Sequence, residues 1–355
     1  MQNEQQNPGA LLDLRPETAK ERDYRFEEIV VSADPVNWVE KPRNTWRKFP
    51  IFNQDGSGSC VAQTLRKQIG VYIWLNTGVF VDVSASHIYQ RRSNKPASGM
   101  AGVDAFQIGQ KGVTLEQFAK SEGMNDTQMD AVKILPFMEE VGKVFKLGNY
   151  LTVPIKDIDT IASIIQKTGK AVMVWFYFQG NEWTDTPAVQ NPNLDLAAIS
   201  TLRHSVAAVD FTLFNGKKAL VIDESWGLGA TIDGQRVITE DFFKARNWFA
   251  GHFLNFAFET TPSPTKPTYT FSKTLRFTTE LSTDQDVVAL QNILKYEGLF
   301  PANTDSSGYY GAITAKAVLA FQMKYQVASN EELQTIGGKI VGPKTIKKLN
   351  ELYGA

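Results

Sequence analysis

Asn53-Gln54-Asp55-Gly56-Ser57-Gly58-Ser59-Cys60-Val61-Ala62 is the stretch whose reading decides the fold, and it contains the only cysteine of the 355 residues. Gly56 and Gly58 allow a tight turn. From Cys60 onward Val61, Leu65, Ile69 and Ile73 recur at helical spacing. The pattern predicts a loop opening into a helix that begins at Cys60. At a helix N-terminus the unpaired N–H groups and the macrodipole favour thiolate over thiol, so the Cys60 pKa is expected to fall and the sulfur to be nucleophilic at neutral pH. A buried, inert cysteine is the structural alternative. A glycine-rich loop ending in Ser-Cys at a helix start favours chemistry.

Candidate bases are few: His87, His204 and His252. His204 opens the run His204-Ser205-Val206-Ala207-Ala208-Val209-Asp210-Phe211, a buried-strand pattern whose first residue would emerge at the sheet end. His87 reads as a surface or core-edge residue of a helix. His252 starts an alternating strand through Phe258, and neither has a recognisable partner. After the strand Lys218–Ile222 comes Asp223-Glu224-Ser225-Trp226-Gly227. Ile155 to Lys170 reads as a helix stopped by Gly169, leading into a strand over Ala171–Phe178 and a polar loop with Asn181, Pro187, Asn191 and Pro192.

Gln54 followed six residues on by Cys60, with Gly58-Ser59 directly before it, resembles the papain-like cysteine peptidases. The His204 run resembles that family's His-Ala-Val strand, and Asp223–Gly227 lines up with its Asn-Ser-Trp-Gly. The resemblance implies an α+β, two-lobed domain, with a helical lobe carrying the Cys60 helix and an antiparallel β lobe carrying His204. It implies an oxyanion hole made by the Gln54 side chain and the Cys60 N–H, and Trp226 covering the hydrogen bond of the histidine. Glu224 falls where the family has its histidine-orienting asparagine. A carboxylate can accept the ring N–H as an amide oxygen does, and its charge would stabilise a thiolate–imidazolium pair. Being one methylene longer than asparagine, Glu224 leaves Asp223 open as the third member. Val61 stands where the family has an aromatic residue. Gly99, Met100, Ala101 and Gly102 correspond to a segment that lines the substrate cleft and pairs with the substrate backbone, unless they form an ordinary loop before a helix.

Residues 1–50 are a proline-interrupted, extended lead-in. Nothing in them matches the longer helical propeptide of the family, so latency through such a segment is not expected; a shorter strap across the cleft stays open. The peptidase-like domain is placed at 51–258. A Thr/Ser/Pro linker follows at 259–267, and a second domain at 268–355.

In that second domain Val287, Leu290, Ile293 and Leu294 form one helical face. Gly308-Tyr309-Tyr310-Gly311-Ala312-Ile313-Thr314 and Gly342-Pro343-Lys344-Thr345 lead into two further helices. With Phe321-Gln322 and Leu349-Asn350, these phrases resemble the three-helix peptidoglycan-binding domain, a small all-α unit. Tyr309, Tyr310 and Gln322 are the candidate contacts to glycan or stem peptide.

A net charge of -1 excludes a general polyanion binder. One cysteine and three histidines exclude the common zinc sites, and no cofactor is expected. No apolar run reads as a signal-peptide core or a membrane span. One cysteine also excludes an intramolecular disulfide. The expected protein is a monomeric cysteine endopeptidase, wall-associated or extracellular, acting on protein or peptide and held to the bacterial wall by its C-terminal domain. A phage or bacterial peptidoglycan hydrolase and an inactive wall-binding protein are the alternatives.

Overall fold

The computed structural model describes residues 9–11, 24–25, 35–178, 182–184, 188–189, 192, 202–256, 266–279, 283–300 and 306–354. Most of the expected linker, the polar loop after Phe178 apart from residues 182–184, 188–189 and 192, and the end of the strand expected through Phe258 lie outside these residues. Two compact units divide the chain, Ala33–Phe258 forming the body of the first and Glu259–Ala355 that of the second.

Helix α1, Cys60–Thr77, runs through the first unit and is buried from Cys60 to Ile73. Gly78 ends it in the left-handed conformation, its N–H returning to Trp74 O at 2.8 Å. A helix buried on every side carries no clean apolar stripe. Its polar side chains are instead matched one by one. Gln68 Nε2 donates to Ala171 O and Gly251 O, Lys67 pairs with Asp223 at 2.8 Å, and Arg66 forks onto Asp82 at 2.7 and 2.8 Å. Helices α2, Ala85–Tyr89, capped by the Ser84 hydroxyl, and α3, Gly102–Gly109, pack against α1 to complete the helical lobe.

The other lobe is a sheet built from β3 (Tyr150–Thr152), β4 (Val172–Phe178), β5 (Ala188–Val189), β6 (Leu202–Phe214), β7 (Lys217–Asp223), β8 (Gln235–Thr239) and β9 (Asn247–Phe253). Their order is β3-β9-β4-β6-β7-β8-β5. All neighbours are antiparallel except β5, which runs parallel to β8. The valine- and aromatic-rich β4 is buried along its whole length, as a central strand requires. Helices α4, Ile158–Thr168, and α5, Glu240–Arg246, pack on the sheet. Asp157 caps α4, and Gly169 stops it with φ +69°.

Strand β6 joins the lobes. Phe176 of β4 lies opposite His204, Ala207 opposite Asp223 of β7, and Thr64 Oγ1 of α1 meets Ser205 Oγ at 3.0 Å. A further pair of short strands, β1 (Ala10–Leu11) and β2 (Met100–Ala101), runs parallel within this unit.

The second unit has α6 (Gln285–Tyr296), α7 (Ala312–Lys324) and α9 (Pro343–Tyr353) around one core, matching the three expected helices. It adds a short α8, Asn330–Ile336, and a small antiparallel pair, Leu275–Arg276 with Ile340–Val341. Two glutamines clamp it in the same way. Gln291 Nε2 donates to the carbonyl 18 residues on, Tyr309 O, and to the hydroxyl 23 residues on, Thr314 Oγ1, both at 3.0 Å. Gln322 repeats both offsets with Ile340 O and Thr345 Oγ1 at 2.9 Å. The unit is therefore a doubled helix–turn–helix-start motif, each glutamine fixing the turn that leads into the next helix.

Candidate active site

Cys60 is the first residue of α1, and no part of it reaches solvent. The loop before it is held from both lobes. Gly58 N–H donates to Asp126 Oδ1 at 2.8 Å, and Gly123 N–H to Asp55 Oδ2 at 2.6 Å. From the sheet side, Gln54 N–H donates to Ser225 O at 2.8 Å, and Ser225 Oγ to Gln54 Oε1 at 2.8 Å. Gln54 Nε2 also donates to Ser57 O at 2.6 Å, so the amide plane is fixed.

His204, fully buried at the start of β6, gives its Nε2 edge to Glu224 Oε1. Its Nδ1 has no hydrogen-bond partner among the described residues. The backbone of the next residue, Ser205, hydrogen-bonds the Cys60 thiol. The Trp226 ring lies over the imidazole with centroids 4.6 Å apart and a 34° tilt, and Trp183 meets it edge-on at 5.6 Å.

Glu224, just past the end of β7, is buried with four partners. Oε1 receives His204 Nε2 and the Ser225 N–H at 3.0 Å; Oε2 receives Trp183 Nε1–H at 3.0 Å and Arg236 Nη2–H at 2.8 Å. Burial works against its charge, but His204, Arg236 and the Ser225 N–H outweigh it and hold the carboxyl at about 2. Asp223 points elsewhere, to Lys67 at 2.8 Å and Gln235 Nε2 at 2.7 Å, and ties β7 to α1. Alternation along a strand sends the two neighbouring acids to different partners.

The Cys60 pKa expectation is corrected. Burial pushes the thiol far above its ordinary value; the hydrogen bond from Ser205 lowers it, the Glu224 charge raises it, and the N–H groups of Val61 and Cys60 lower it by less. The helix terminus acts in the expected direction, and desolvation outweighs it.

That desolvation has a visible source. Gly9–Leu11 lies where the cleft was expected: Met100 N–H donates to Gly9 O at 2.8 Å, Ala10 pairs with Met100 and Leu11 with Ala101. A Cβ on Gly9 would stand 1.9 Å from Gly58 O, so the strand passes directly against the Cys60 loop. Ala10 is buried in the same apolar cluster as Cys60. A short strap, Gly9–Leu11, occupies this groove among the described residues.

His87, read as a core-edge residue, is fully buried: burial lowers its pKa to about 4, and Nδ1 accepts from Thr114 N–H at 3.4 Å. His252 is buried likewise, its pKa lowered to about 3. Neither joins the Cys60–His204 group. In the second unit the contact assignments of Tyr310 and Gln322 are corrected. Tyr310 is buried and donates its hydroxyl to Gly338 O at 2.8 Å, and Gln322 is the internal clamp described above. Tyr309 alone of the three is half-buried. No group of metal-ligating side chains occurs among the described residues.

Arg236 and Trp183 escaped the sequence reading. For Arg236 the signal is a cation beside the strand pair Val237-Ile238, which a buried strand tolerates only with an acid as partner.

The first unit has the papain-like fold, and the second carries a peptidoglycan-binding-type helical domain. A family model described as a putative peptidoglycan binding domain matches residues 283–330. The crystal structure of xylellain, a cysteine protease from Xylella fastidiosa, superposes with a TM-score of 0.55 at 18% identity, over 70% of this chain and 96% of that one. Digestive procathepsin L 3 of Tenebrio molitor larval midgut gives 0.49 at 18% identity, over 66% and 77%. The bromelain protease from Ananas comosus gives 0.47 at 16% identity, over 58% and 93%. No curated protein matches the chain in sequence.

Proposed function

We propose that the chain is a cysteine endopeptidase with a wall-binding C-terminal domain, latent in the conformation described. The observation that carries the reading is that His204 is oriented by Glu224 through Nε2, while the backbone of the next residue bonds the Cys60 thiol. Nδ1 is then the nitrogen that takes the thiol proton. The thiolate attacks the scissile carbonyl, and the Gln54 amide and Cys60 N–H receive the oxyanion. The imidazolium gives its proton to the leaving amine. Water, deprotonated by the neutral imidazole, then releases the acid and restores the thiol. The Gly9–Leu11 strap must leave before substrate pairs with Met100–Ala101.

The match at 283–330 supports retention on peptidoglycan, and it equally favours a second reading in which wall peptides are the substrate. Incubating wild type and Cys60→Ala with denatured protein and, separately, with purified peptidoglycan decides between them. Protein fragments released only by wild type support the endopeptidase. Wall peptides released with protein left intact refute it in favour of the second reading.

A further inference from the structure

We propose that Arg236 is a positioning residue of the Cys60–His204 pair, acting through Glu224: it neutralises the carboxylate that stands where the resemblance places a neutral amide. The inference rests on the endopeptidase reading of the site.

The charge count carries it. Before proton transfer the buried group holds Glu224 negative and Arg236 positive. After transfer it holds these two, the Cys60 thiolate and the His204 imidazolium. The net charge is zero in both states, so the proton moves inside a desolvated site without creating an unbalanced charge. Without Arg236 the group would carry one negative charge throughout, opposing the thiolate and over-stabilising the imidazolium. The geometry is specific: Nη2 donates to Glu224 Oε2 at 2.8 Å, Nη1 donates to Trp183 O, and Trp183 returns its indole N–H to the same Oε2 at 3.0 Å. Arginine and tryptophan thus occupy the carboxylate oxygen that His204 does not use.

Among the described residues the neighbouring charges have contacts other than Glu224. Lys67 of α1 pairs with Asp223 of β7 at 2.8 Å, and Arg246 of α5 pairs with Glu182 at 2.7 Å. Arg203, next to His204 on β6, has its guanidinium 5.2 Å from the Tyr177 ring centroid. Cys60 itself is the remaining group, from α1. Arg236 is therefore the cation in contact with the Glu224 carboxylate besides the histidine it orients.

The test uses the full-length protein and its single cysteine. The rate of Cys60 alkylation by iodoacetamide, read by intact mass, is followed against pH. The strap is the same in wild type and in every charge variant, so what its opening adds to the profile is common to all of them. For Arg236→Met both limbs are expected to move up by about one unit, because an unbalanced negative charge disfavours the thiolate and favours the imidazolium. For Glu224→Gln both move down by about one unit. Glu224→Gln/Arg236→Met returns them close to wild type. Limbs that stay fixed, move the same way in both single variants, or fail to return in the double variant overturn the proposal. If Arg236→Met does not fold, the comparison of Glu224→Gln with the double variant decides alone, since the double buries no unpaired charge. Peptide hydrolysis measured on the same samples separates the two readings. Wild type that cleaves while the limbs stay fixed removes only the role of Arg236. Limbs that move as expected in the variants while wild type cuts no peptide remove only the endopeptidase.

Discussion

Gly9→Ala should raise the reactivity of Cys60. Gly9 has φ +71°, a left-handed conformation costing a non-glycine residue about 1 kcal/mol. The new Cβ would meet Gly58 O at 1.9 Å, Gly58 C at 2.4 Å and Gly58 Cα at 2.6 Å. That backbone cannot yield cheaply, because Asp126 holds the Gly58 N–H and Gln54 holds Ser57 from both sides. The strap must move instead. It would give up the Met100 N–H to Gly9 O bond, worth about 1 kcal/mol, and part of the Ala10 burial, worth a similar amount. The sum is about 3 kcal/mol against the seated strap, a rise of about 100-fold in the open population. Hydrolysis of a fluorogenic peptide and Cys60 alkylation should both accelerate by up to that factor. Gly78→Ala is the control: its φ is +74°, no atom stands within 4 Å of the added Cβ, and it lies at the far end of α1. An unchanged rate for Gly9→Ala, or equal activation by Gly78→Ala, would refute the strap's role.

Asp223→Asn should lower stability by about 3 kcal/mol, since it strips a buried Lys67 of its counter-charge, while the folded fraction keeps its kcat; thermal unfolding and active-site titration check both halves. Glu224→Gln keeps the shape and should cut kcat/KM at neutral pH by about 10-fold or more, read from initial rates. His87 and His252, held neutral with pKa values near 4 and 3 against an ordinary 6.5, bind protons more readily when unfolded. Stability is therefore expected to fall as pH drops below about 6.5, and Tm against pH should flatten in His87→Asn. Glu224 is shifted in the same direction but in a lower window: its contribution is complete above the ordinary carboxylate range and is lost as pH falls toward about 2. Gln291→Leu should cost the second unit more than Gln322→Leu, because Gln291 Oε1 also accepts the Gly308 N–H at 3.0 Å while Gln322 Oε1 has no partner among the described residues. Separate unfolding transitions measure the difference.

The parts of the site legible in the sequence are those where residue type and local pattern coincide. A glycine-rich turn before Ser-Cys specifies the start of α1, and a histidine before a valine-rich run specifies the head of β6. Gly169 and Gly78 stop their helices where positive φ is required. What the sequence left out depends on contacts between distant segments. The polarity of α1 hid that it is central, because Lys67, Gln68 and Arg66 find their partners as far as 183 residues away. Tyr310 and Gln322 carry groups suited to a ligand, yet these groups are spent on the turns of their own domain. The sequence leaves a strap open without placing it, for the same reason: Gly9-Ala10-Leu11 has no periodicity, and its placement follows from the small residues at Gly58 and Gly99 that let two backbones approach.

With the strap seated, burial raises the Cys60 thiol and works against a thiolate. The terminus of α1 supplies N–H groups to the sulfur, as its sequence predicts, but their effect is smaller than the cost of a buried anion. Removing the strap admits water to the sulfur and lifts that cost, whereas Glu224 and Arg236 stay paired on the far side of the imidazole. On the proposed reading, Gly9–Leu11 governs whether the thiolate forms, and the Glu224–Arg236 pair sets the pH range in which the formed pair persists. The two are separable. A strap variant raises Cys60 reactivity and lowers the thiol limb by relieving desolvation, whereas the charge variants at Glu224 and Arg236 move both limbs in opposite directions and cancel in the double variant.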